Sequence, residues 1–205
     1  MSVYSILDLN KTFKKKKGDS MLHQVKDFVV RQETMLFLPN FDQFGNLSTI
    51  VMETDLEFFV EKSPKTLMDA CLRYYGSSLR GASDGAKSIL GNVNMCPVLM
   101  NEKLELYWFP TKSPDKEDCV WFALHHVKCY EKAGLKETKV TLSNGVTVIV
   151  DVSLYTFKKK IRLAYQLKCK MEERSKLNST MIFESKLRYQ IRKIEGGLNY
   201  EKDIE

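Results

Sequence analysis

Residues 138–150 read TKVTLSNGVTVIV, so an Asn-Gly pair lies between two runs rich in β-branched residues. Asn and Gly tolerate the positive φ angles that a tight hairpin turn requires, and β-branched side chains favour strands. The stretch therefore predicts a β-hairpin whose strands span residues 138–142 and 146–150.

A long helix is predicted directly after this hairpin. Apolar side chains recur at helical spacing from Leu154 to Met171, and this stripe includes Phe157, Ile161 and Tyr165. Ser153 precedes the stripe and can accept a hydrogen bond from a backbone N–H of the first turn. Basic residues occupy the other sides of the helix.

Upstream of the hairpin, short apolar runs predict strands near residues 35–39, 48–52, 56–60, 98–100, 104–110 and 119–128. Ser63 and Pro64 begin a helix among them, and Gly76 ends it in a left-handed conformation. Residues 76–87 are rich in Gly and Ser and are predicted to form a loop, whose glycines indicate close approach by another backbone or a ligand. The predicted fold class is α+β: a mostly antiparallel sheet, a helix before the Gly/Ser loop and a long helix after the Asn-Gly hairpin.

Three regions are predicted along the chain. Residues 1–22 contain Lys11 and the run Lys14–Lys17, which indicates a flexible basic arm that either stays solvated or binds phosphates. Residues 23–178 are predicted to form a single α+β domain. Residues 179–205 are predicted to be a loosely held C-terminal tail.

Composition limits the class of protein. The chain has 205 residues, 43% of them hydrophobic, a formal net charge of +6 and a pI of about 8.9. This modest positive excess favours an anionic partner such as nucleic acid. The five cysteines are an odd number without compact spacing, and no run is apolar enough for a signal peptide or a membrane span. We therefore expect a cytoplasmic protein with reduced thiols.

The sequence favours a protein that is not an enzyme. His125 and His126 are predicted to lie in the middle of a strand, so their side chains should point to opposite faces. A zinc set of Cys119, His125 and Cys129 would span about 30 Å of extended strand, too far for ligands of one metal ion. A Cys/His pair that meets only in space stays open at this point, but no local signature supports one. We expect no catalytic residue, no metal site and no cofactor.

A series of short motifs follows in a fixed order between about residues 65 and 168. The motifs are Tyr74-Tyr75-Gly76-Ser77-Ser78 with Gly81, Pro97-Val98-Leu99-Met100, Tyr107-Trp108-Phe109-Pro110-Thr111, Cys119-Val120-Trp121, His126-Val127-Lys128, and Ser143-Asn144-Gly145 followed by Ser153 and Arg162. Through these motifs the middle of the chain resembles the ComK competence transcription factor family.

The resemblance implies a transcriptional activator of DNA-uptake genes. Family members recognise AT-rich boxes in double-stranded DNA, largely from the minor groove, and act as homo-oligomers. They are also delivered by an adaptor to an AAA+ protease. Met181, Ile182 and Phe183 loosely resemble the adaptor-binding stretch, although its Tyr-Pro is missing here. The resemblance thus makes residues 23–178 a DNA-binding domain and residues 179–205 a regulatory tail.

Candidate DNA contacts are basic or hydroxyl side chains near the predicted loop and on the long helix. A·T tracts have a narrow and strongly negative minor groove, which attracts Arg and Lys side chains. The candidates are Arg73, Ser77, Ser78, Arg80, Lys87, Lys158, Lys159, Arg162, Lys168 and Lys170. Two alternatives remain open: a protein-interaction module that does not bind DNA, and a single-strand binder that stacks bases on exposed aromatic residues. The aromatic runs at residues 74–75 and 107–109 are predicted to be mainly core residues.

Overall fold

The computed structural model describes residues 3–5, 23–178, 188–191 and 200–203, and the side chains of residues 24–176. The chain divides into two compact units, Met1–Met171 and Glu172–Glu205. In the second unit, strands Arg188–Ile191 and Tyr200–Asp203 pair in antiparallel fashion.

The first unit is built on two sheets and three helices among the described residues. Its strands are β1 (Val3–Ser5), β2 (His23–Val25), β3 (Thr34–Phe41), β4 (Leu47–Glu53), β5 (Glu57–Val60), β6 (Val98–Asn101), β7 (Leu106–Pro110), β8 (Trp121–Ala123), β9 (Val127–Lys132), β10 (Thr138–Leu142) and β11 (Thr147–Val150). The helices are α1 (Pro64–Tyr74), α2 (Leu79–Leu90) and α3 (Leu154–Asn178), and a single 3-10 turn covers Leu124–His126.

Most of the strand pairing is antiparallel. The larger sheet has the order β2-β5-β4-β3-β8-β7-β6, and the smaller has the order β1-β11-β10-β9; only β2 with β5 and β1 with β11 run parallel among the described strands. The predicted α+β class is therefore confirmed. Of the predicted N-terminal arm, residues 3–5 form β1; a flexible arm over the other residues up to 22 stays a prediction.

The Asn-Gly hairpin is confirmed. Thr141 of β10 lies opposite Thr147 of β11, and Gly145 has a φ of +85°. The Asn144 side chain accepts the Val146 N–H and donates to the Thr54 carbonyl, which ties the turn to the loop after β4.

The core lies on both faces of the larger sheet. Leu36 and Phe37 are neighbours on β3 but belong to two different clusters of buried residues, as alternation of side chains along a strand requires. One cluster contains α1 through Leu67 and Leu72, and the other contains α3 and the smaller sheet, for example Phe157. Helices and a second sheet thus cover both faces.

α1 has the ends that the sequence predicts. The Ser63 hydroxyl accepts the Thr66 N–H at 3.3 Å, and Pro64 occupies the first turn, where no N–H partner is needed. At the other end Gly76 has a φ of +83°, its N–H donates to the Arg73 carbonyl, and the Ser77 N–H donates to the Leu72 carbonyl. This pair of bonds is the Schellman motif.

The predicted Gly/Ser loop over residues 76–87 is wrong, because a helix begins at Leu79. The Ser78 hydroxyl accepts the Gly81 N–H at 3.1 Å, and an Asp69 carboxylate oxygen accepts the Leu79 N–H at 2.8 Å. These two acceptors satisfy N–H groups that the first turn leaves without partners. A Cβ atom added at Gly85 would meet nothing within 4 Å, so no other backbone among the described residues approaches this glycine closely. Close approach of a ligand stays a prediction.

The predicted placement of the two histidines on opposite faces is also wrong. The 3-10 turn over Leu124–His126 interrupts strand alternation, and the two rings lie 4.2 Å apart. Both Nε2 atoms contact the Gln32 carbonyl, at 2.9 Å from His125 and 2.6 Å from His126. His126 is buried, which lowers its pKa below the ordinary value. The pair therefore joins the turn before β3 to the end of β8.

Lys160 is a buried cation on α3. Its side chain is only 4% exposed, and its Nζ atom has no hydrogen-bond partner among the described residues. Burial lowers its pKa to about 8, because the charged form loses water; Lys159 opposes the charge further, whereas Cys119 and Cys96 favour it. Below pH 8 the charge is retained at a cost of about 3 kcal/mol relative to the unfolded chain.

We expect Ser78→Ala to lower the free energy of unfolding by about 1 kcal/mol, because the first turn of α2 loses its cap. Urea denaturation would measure this change. Ser77→Ala is the matched control, since the Ser77 hydroxyl makes only a 3.5 Å contact with the Ser78 carbonyl. Equal stability of the two variants would contradict a capping role for Ser78.

We expect Lys160→Met to raise the free energy of unfolding at pH 7 by about 1–3 kcal/mol, because the apolar chain stays and the buried charge goes. Between pH 8 and about 10.5 the unfolded lysine holds its proton while the folded one does not, so the stability of the unmodified protein should rise with pH. The gain from the substitution should shrink over this window. Denaturation at several pH values would check this, with exposed Lys159→Met as the control; a loss of stability at pH 7 would contradict it.

Candidate nucleic-acid interface

The outer face of α3 carries three cations that have no ion pair with the described residues. Phe157, Ile161 and Ala164 are buried on one side of the helix, which leaves Lys158, Lys159 and Arg162 exposed on the other. Among the described residues, no carboxylate oxygen lies within 4.0 Å of a side-chain nitrogen of these three. No Asp or Glu occurs in the sequence from Val152 to Met171. We call Lys158, Lys159 and Arg162 the α3 basic face.

Two other predicted contacts on α3 take part in internal bonds. The Lys168 ammonium lies 2.9 Å from a Glu105 carboxylate oxygen in the turn between β6 and β7. The Lys170 ammonium donates to the Ile89 carbonyl at 3.1 Å, at the end of α2. These bonds orient α3 against its neighbours and partly satisfy both cations; contact of either residue with DNA stays a prediction.

The cations near α1 and α2 are each accompanied by a carboxylate. The Arg73 guanidinium lies 2.7 Å from Asp69, one helical turn earlier. Arg80 and Lys87 both lie 3.9 Å from Asp84, which is between them in sequence. Although the Arg80 side chain is 94% exposed, the potential over α2 is reduced by this shared acid.

The start of α2 is occupied by groups of the chain itself. Ser78 caps the helix, and the Asp69 carboxylate accepts the Leu79 N–H. That hydrogen bond, together with Arg73, holds the pKa of Asp69 below its ordinary value, so Asp69 is anionic at neutral pH. A DNA phosphate at this end of α2 would meet a fixed negative charge. Contacts through Ser77 and Ser78 stay predictions.

The sequence-predicted cations are thus brought together only in part. The bond from Lys170 to Ile89 places the end of α2 beside α3, and Lys87 lies three residues before Leu90, where α2 ends. Arg73 belongs to α1, on the opposite face of the larger sheet from Phe157. The α3 basic face is the one cluster of predicted cations free of neighbouring acids in the described part of the chain.

Two exposed aromatic residues on α3 were missed. Tyr155 is 78% exposed, and Tyr165, which the sequence places on the apolar stripe, is 48% exposed. Both lie on the same side of the helix as Arg162, which a rotation of 100° per residue would have revealed. The run at residues 107–109 is buried as predicted, whereas Tyr74 is 70% exposed and Tyr75 is half-buried with its hydroxyl on the Val30 carbonyl.

Three further points concern other kinds of site. Met181, Ile182 and Phe183, the predicted adaptor-binding residues, lie outside the described residues. Within the part that is described, no three His, Cys, Asp or Glu side chains are grouped so that they could hold a metal ion. No helix in the same part has both the length and the apolar character needed to cross a bilayer.

Comparison with known proteins places the chain in a family. The chain is 26% identical over 150 residues to the Competence transcription factor of Bacillus subtilis (strain 168). The aligned region covers 73% of this chain and 78% of that protein. No solved structure matches. The family model described as ComK protein matches residues 25–176. Because this match covers well over half of the sequence, the chain belongs to the ComK protein family.

Proposed function

We propose that this protein is a competence transcription factor that activates DNA-uptake genes by binding AT-rich boxes of double-stranded DNA, largely from the minor groove. The observation that carries the proposal is the α3 basic face, three exposed cations that form no ion pair within 4.0 Å among the described residues. Membership of the ComK family and the name of the Bacillus subtilis relative support it.

The dimensions of α3 limit how it can meet a minor groove. An α-helix with its side chains is about 10–12 Å wide, whereas the minor groove is about 6 Å wide. The helix therefore lies across the groove, and only single side chains enter. Arg162 lies between Lys158 and Lys159 around the helix, so its guanidinium is best placed to enter while the two lysines bind phosphates.

The mode of binding explains a preference for A·T base pairs. A narrow A·T minor groove concentrates negative potential and attracts an inserted arginine more strongly than a wider groove does. The phosphate contacts carry no sequence information and supply affinity through release of counterions. Arg162 would thus determine selectivity, and Lys158 and Lys159 would contribute affinity.

The remaining parts of the proposal follow from the family resemblance. The protein acts in the cytoplasm as a homo-oligomer, without a catalytic site or cofactor. An adaptor binds the segment that contains Met181, Ile182 and Phe183 and delivers the protein to an AAA+ protease.

A second candidate function is favoured by the exposed tyrosines of α3. Tyr155 and Tyr165 flank Arg162 on the same side of the helix, and exposed aromatic rings among cations are typical of proteins that stack single-stranded bases. Binding to a single strand would then exceed binding to a duplex.

We expect Lys158→Gln/Lys159→Gln to reduce affinity for an AT-rich duplex. The negative slope of log K against log salt should become shallower by about 1.8, because two phosphate contacts are lost. Arg80→Gln/Lys87→Gln removes the same net charge near Asp84 and is expected to have a smaller effect. Fluorescence anisotropy at several salt concentrations would compare them. Equal losses in the two variants would show that net charge, rather than the α3 basic face, determines binding.

We expect Arg162→Gln to reduce the preference for an AT-rich over a GC-rich duplex more strongly than the double lysine variant does. The reason is that the inserted arginine binds more tightly in a narrow groove, where the negative potential is stronger. Titrations of AT-rich, GC-rich and single-stranded probes would measure the preference. Equal binding of the unmodified protein to both duplexes would contradict sequence-specific activation. Tighter binding of the single strand would favour the second candidate function.

A further inference from the structure

The hairpin between β9 and β10 presents a leucine to solvent at its tip. Leu135 is 88% exposed, the highest exposure among the large apolar side chains that the structure describes. The loop is closed by the N–H groups of Ala133 and Gly134, which both donate to the Glu137 carbonyl, at 3.2 and 3.4 Å. At the tip of a hairpin, a side chain exposed to this degree is accessible to a partner.

The base of this hairpin is anchored to the start of α3. The Thr138 hydroxyl donates to the Val152 carbonyl at 2.8 Å, two residues before α3 begins. The Tyr130 ring of β9 packs against Phe157 of α3, with ring centroids 5.4 Å apart. Leu135 is three residues from Thr138, which corresponds to about 10 Å of chain. The tip and the start of α3 therefore lie at the same end of the smaller sheet.

The charges around the tip suit a polyanion. Lys132 and Lys136 flank Leu135, and neither has a carboxylate within 4.0 Å among the described residues. Glu131 is bound by Lys139 at 2.6 Å. The exposed Glu137 carboxylate lies beside Gly134 at the tip, since a Cβ added there would be 2.9 Å from its Oε2, so residues 131–139 carry three lysines and two glutamates.

Two acids near the start of α3 share a single cation. Asp151 precedes α3, and its carboxylate lies 3.0 Å from the Lys112 ammonium, which also binds Asp118 at 2.6 Å. An apolar tip between two cations is complementary to a ligand with an anionic rim and an apolar interior. Stacked base pairs between two phosphate backbones have this character.

We propose that Leu135 is an apolar wedge that inserts between adjacent base pairs of AT-rich DNA, while Lys132 and Lys136 bind the phosphates on either side. This inference rests on the duplex binding proposed above and adds a residue that deforms the duplex. Leucine is among the side chains that minor-groove proteins insert between base steps, which partly unstacks the bases and kinks the duplex. TA steps unstack most easily, so insertion adds selectivity for AT-rich sites.

The other exposed hairpin tip is a poorer wedge. Phe44 lies between β3 and β4 and is 80% exposed. Its loop is organised around Asp42, whose carboxylate accepts hydrogen bonds from Asn46 and from the Phe44 N–H. The Asn46 side chain is the main cause of a lowered pKa at Asp42, so this tip carries an anionic carboxylate. Residues 40–47 contain no lysine or arginine, whereas the β9–β10 tip has lysines as well as glutamates. Phe44→Ala is therefore the matched control for Leu135→Ala.

The test uses an AT-rich duplex with 2-aminopurine at a central TA step, a base whose fluorescence rises when it unstacks. The unmodified full-length protein is expected to raise the fluorescence at saturation, and Phe44→Ala should do the same. Leu135→Ala should lose most of this rise and lose affinity on the order of tenfold or less, because phosphate binding remains. A duplex with a mismatch at the TA step, which is already unstacked, should bind both proteins almost equally.

Other outcomes would overturn the inference. If Leu135→Ala unstacks the base as the unmodified protein does, the wedge is absent while duplex binding stands. A fluorescence rise that depends on Phe44 instead would place the wedge on the other hairpin. Unchanged DNA binding and unstacking, together with a lost self-association of Leu135→Ala in analytical ultracentrifugation, would assign the leucine to a protein contact. Absence of duplex binding by the unmodified protein would overturn both the wedge and the proposed function.

Discussion

The packing of Phe157 against two sheets is the contact on which the candidate interface depends. Its ring lies 5.6 Å from Phe109, 5.7 Å from Phe122 and 5.4 Å from Tyr130, so one side chain joins α3 to both the larger and the smaller sheet. Because each residue turns a helix by 100°, fixing Phe157 inward also fixes which residues point outward. The exposure of Lys158 and Arg162 is therefore a consequence of aromatic packing rather than of their own charge.

The same constraint explains why Lys160 is buried. A helix rotated so that Phe157, Ile161 and Ala164 face the core must carry residue 160 partly inward as well. Retaining its charge costs about 3 kcal/mol at neutral pH, whereas burial of Phe157 and Ile161 alone contributes about 3–6 kcal/mol. Rotation of α3 to release Lys160 would expose these side chains, so the packed orientation prevails.

The parts of the fold that were predictable from the sequence are those set by local spacing. The Asn-Gly turn, the ends of α1 and the stripe that contains Phe157 each depend on residues within one or two turns of one another. The start of α2 was not predictable in this way, because one of its two capping acceptors is Asp69, ten residues before Leu79 on another helix. The histidines were misplaced because the 3-10 turn depends on the Gln32 carbonyl, about 93 residues away.

In the candidate site, too, the predictable residues are those set by local spacing. Lys158, Lys159 and Arg162 were found because an amphipathic helix has a predictable outer face. Because residues 76–87 are predicted to form a loop, the sequence analysis does not predict the i, i+4 ion pair between Arg80 and Asp84 that the structure shows. The exposure of Leu135 depends on how the β9–β10 hairpin projects from the sheet, which spacing along the sequence does not indicate.

The form of the duplex explains why the proposed mode of binding uses one element, α3, to supply charge and another, the β9–β10 hairpin, to supply an apolar side chain. Phosphates lie on the outer rim and can be reached by long cationic side chains from a helix too wide to enter the groove. Base steps lie at the floor and accept a short apolar group only if it is held at a narrow tip. The contacts of Thr138 with Val152 and of Tyr130 with Phe157 anchor the base of the β9–β10 hairpin to the start of α3. In the proposed mode of binding, the aromatic contact that orients the cations thus also fixes the position of the leucine.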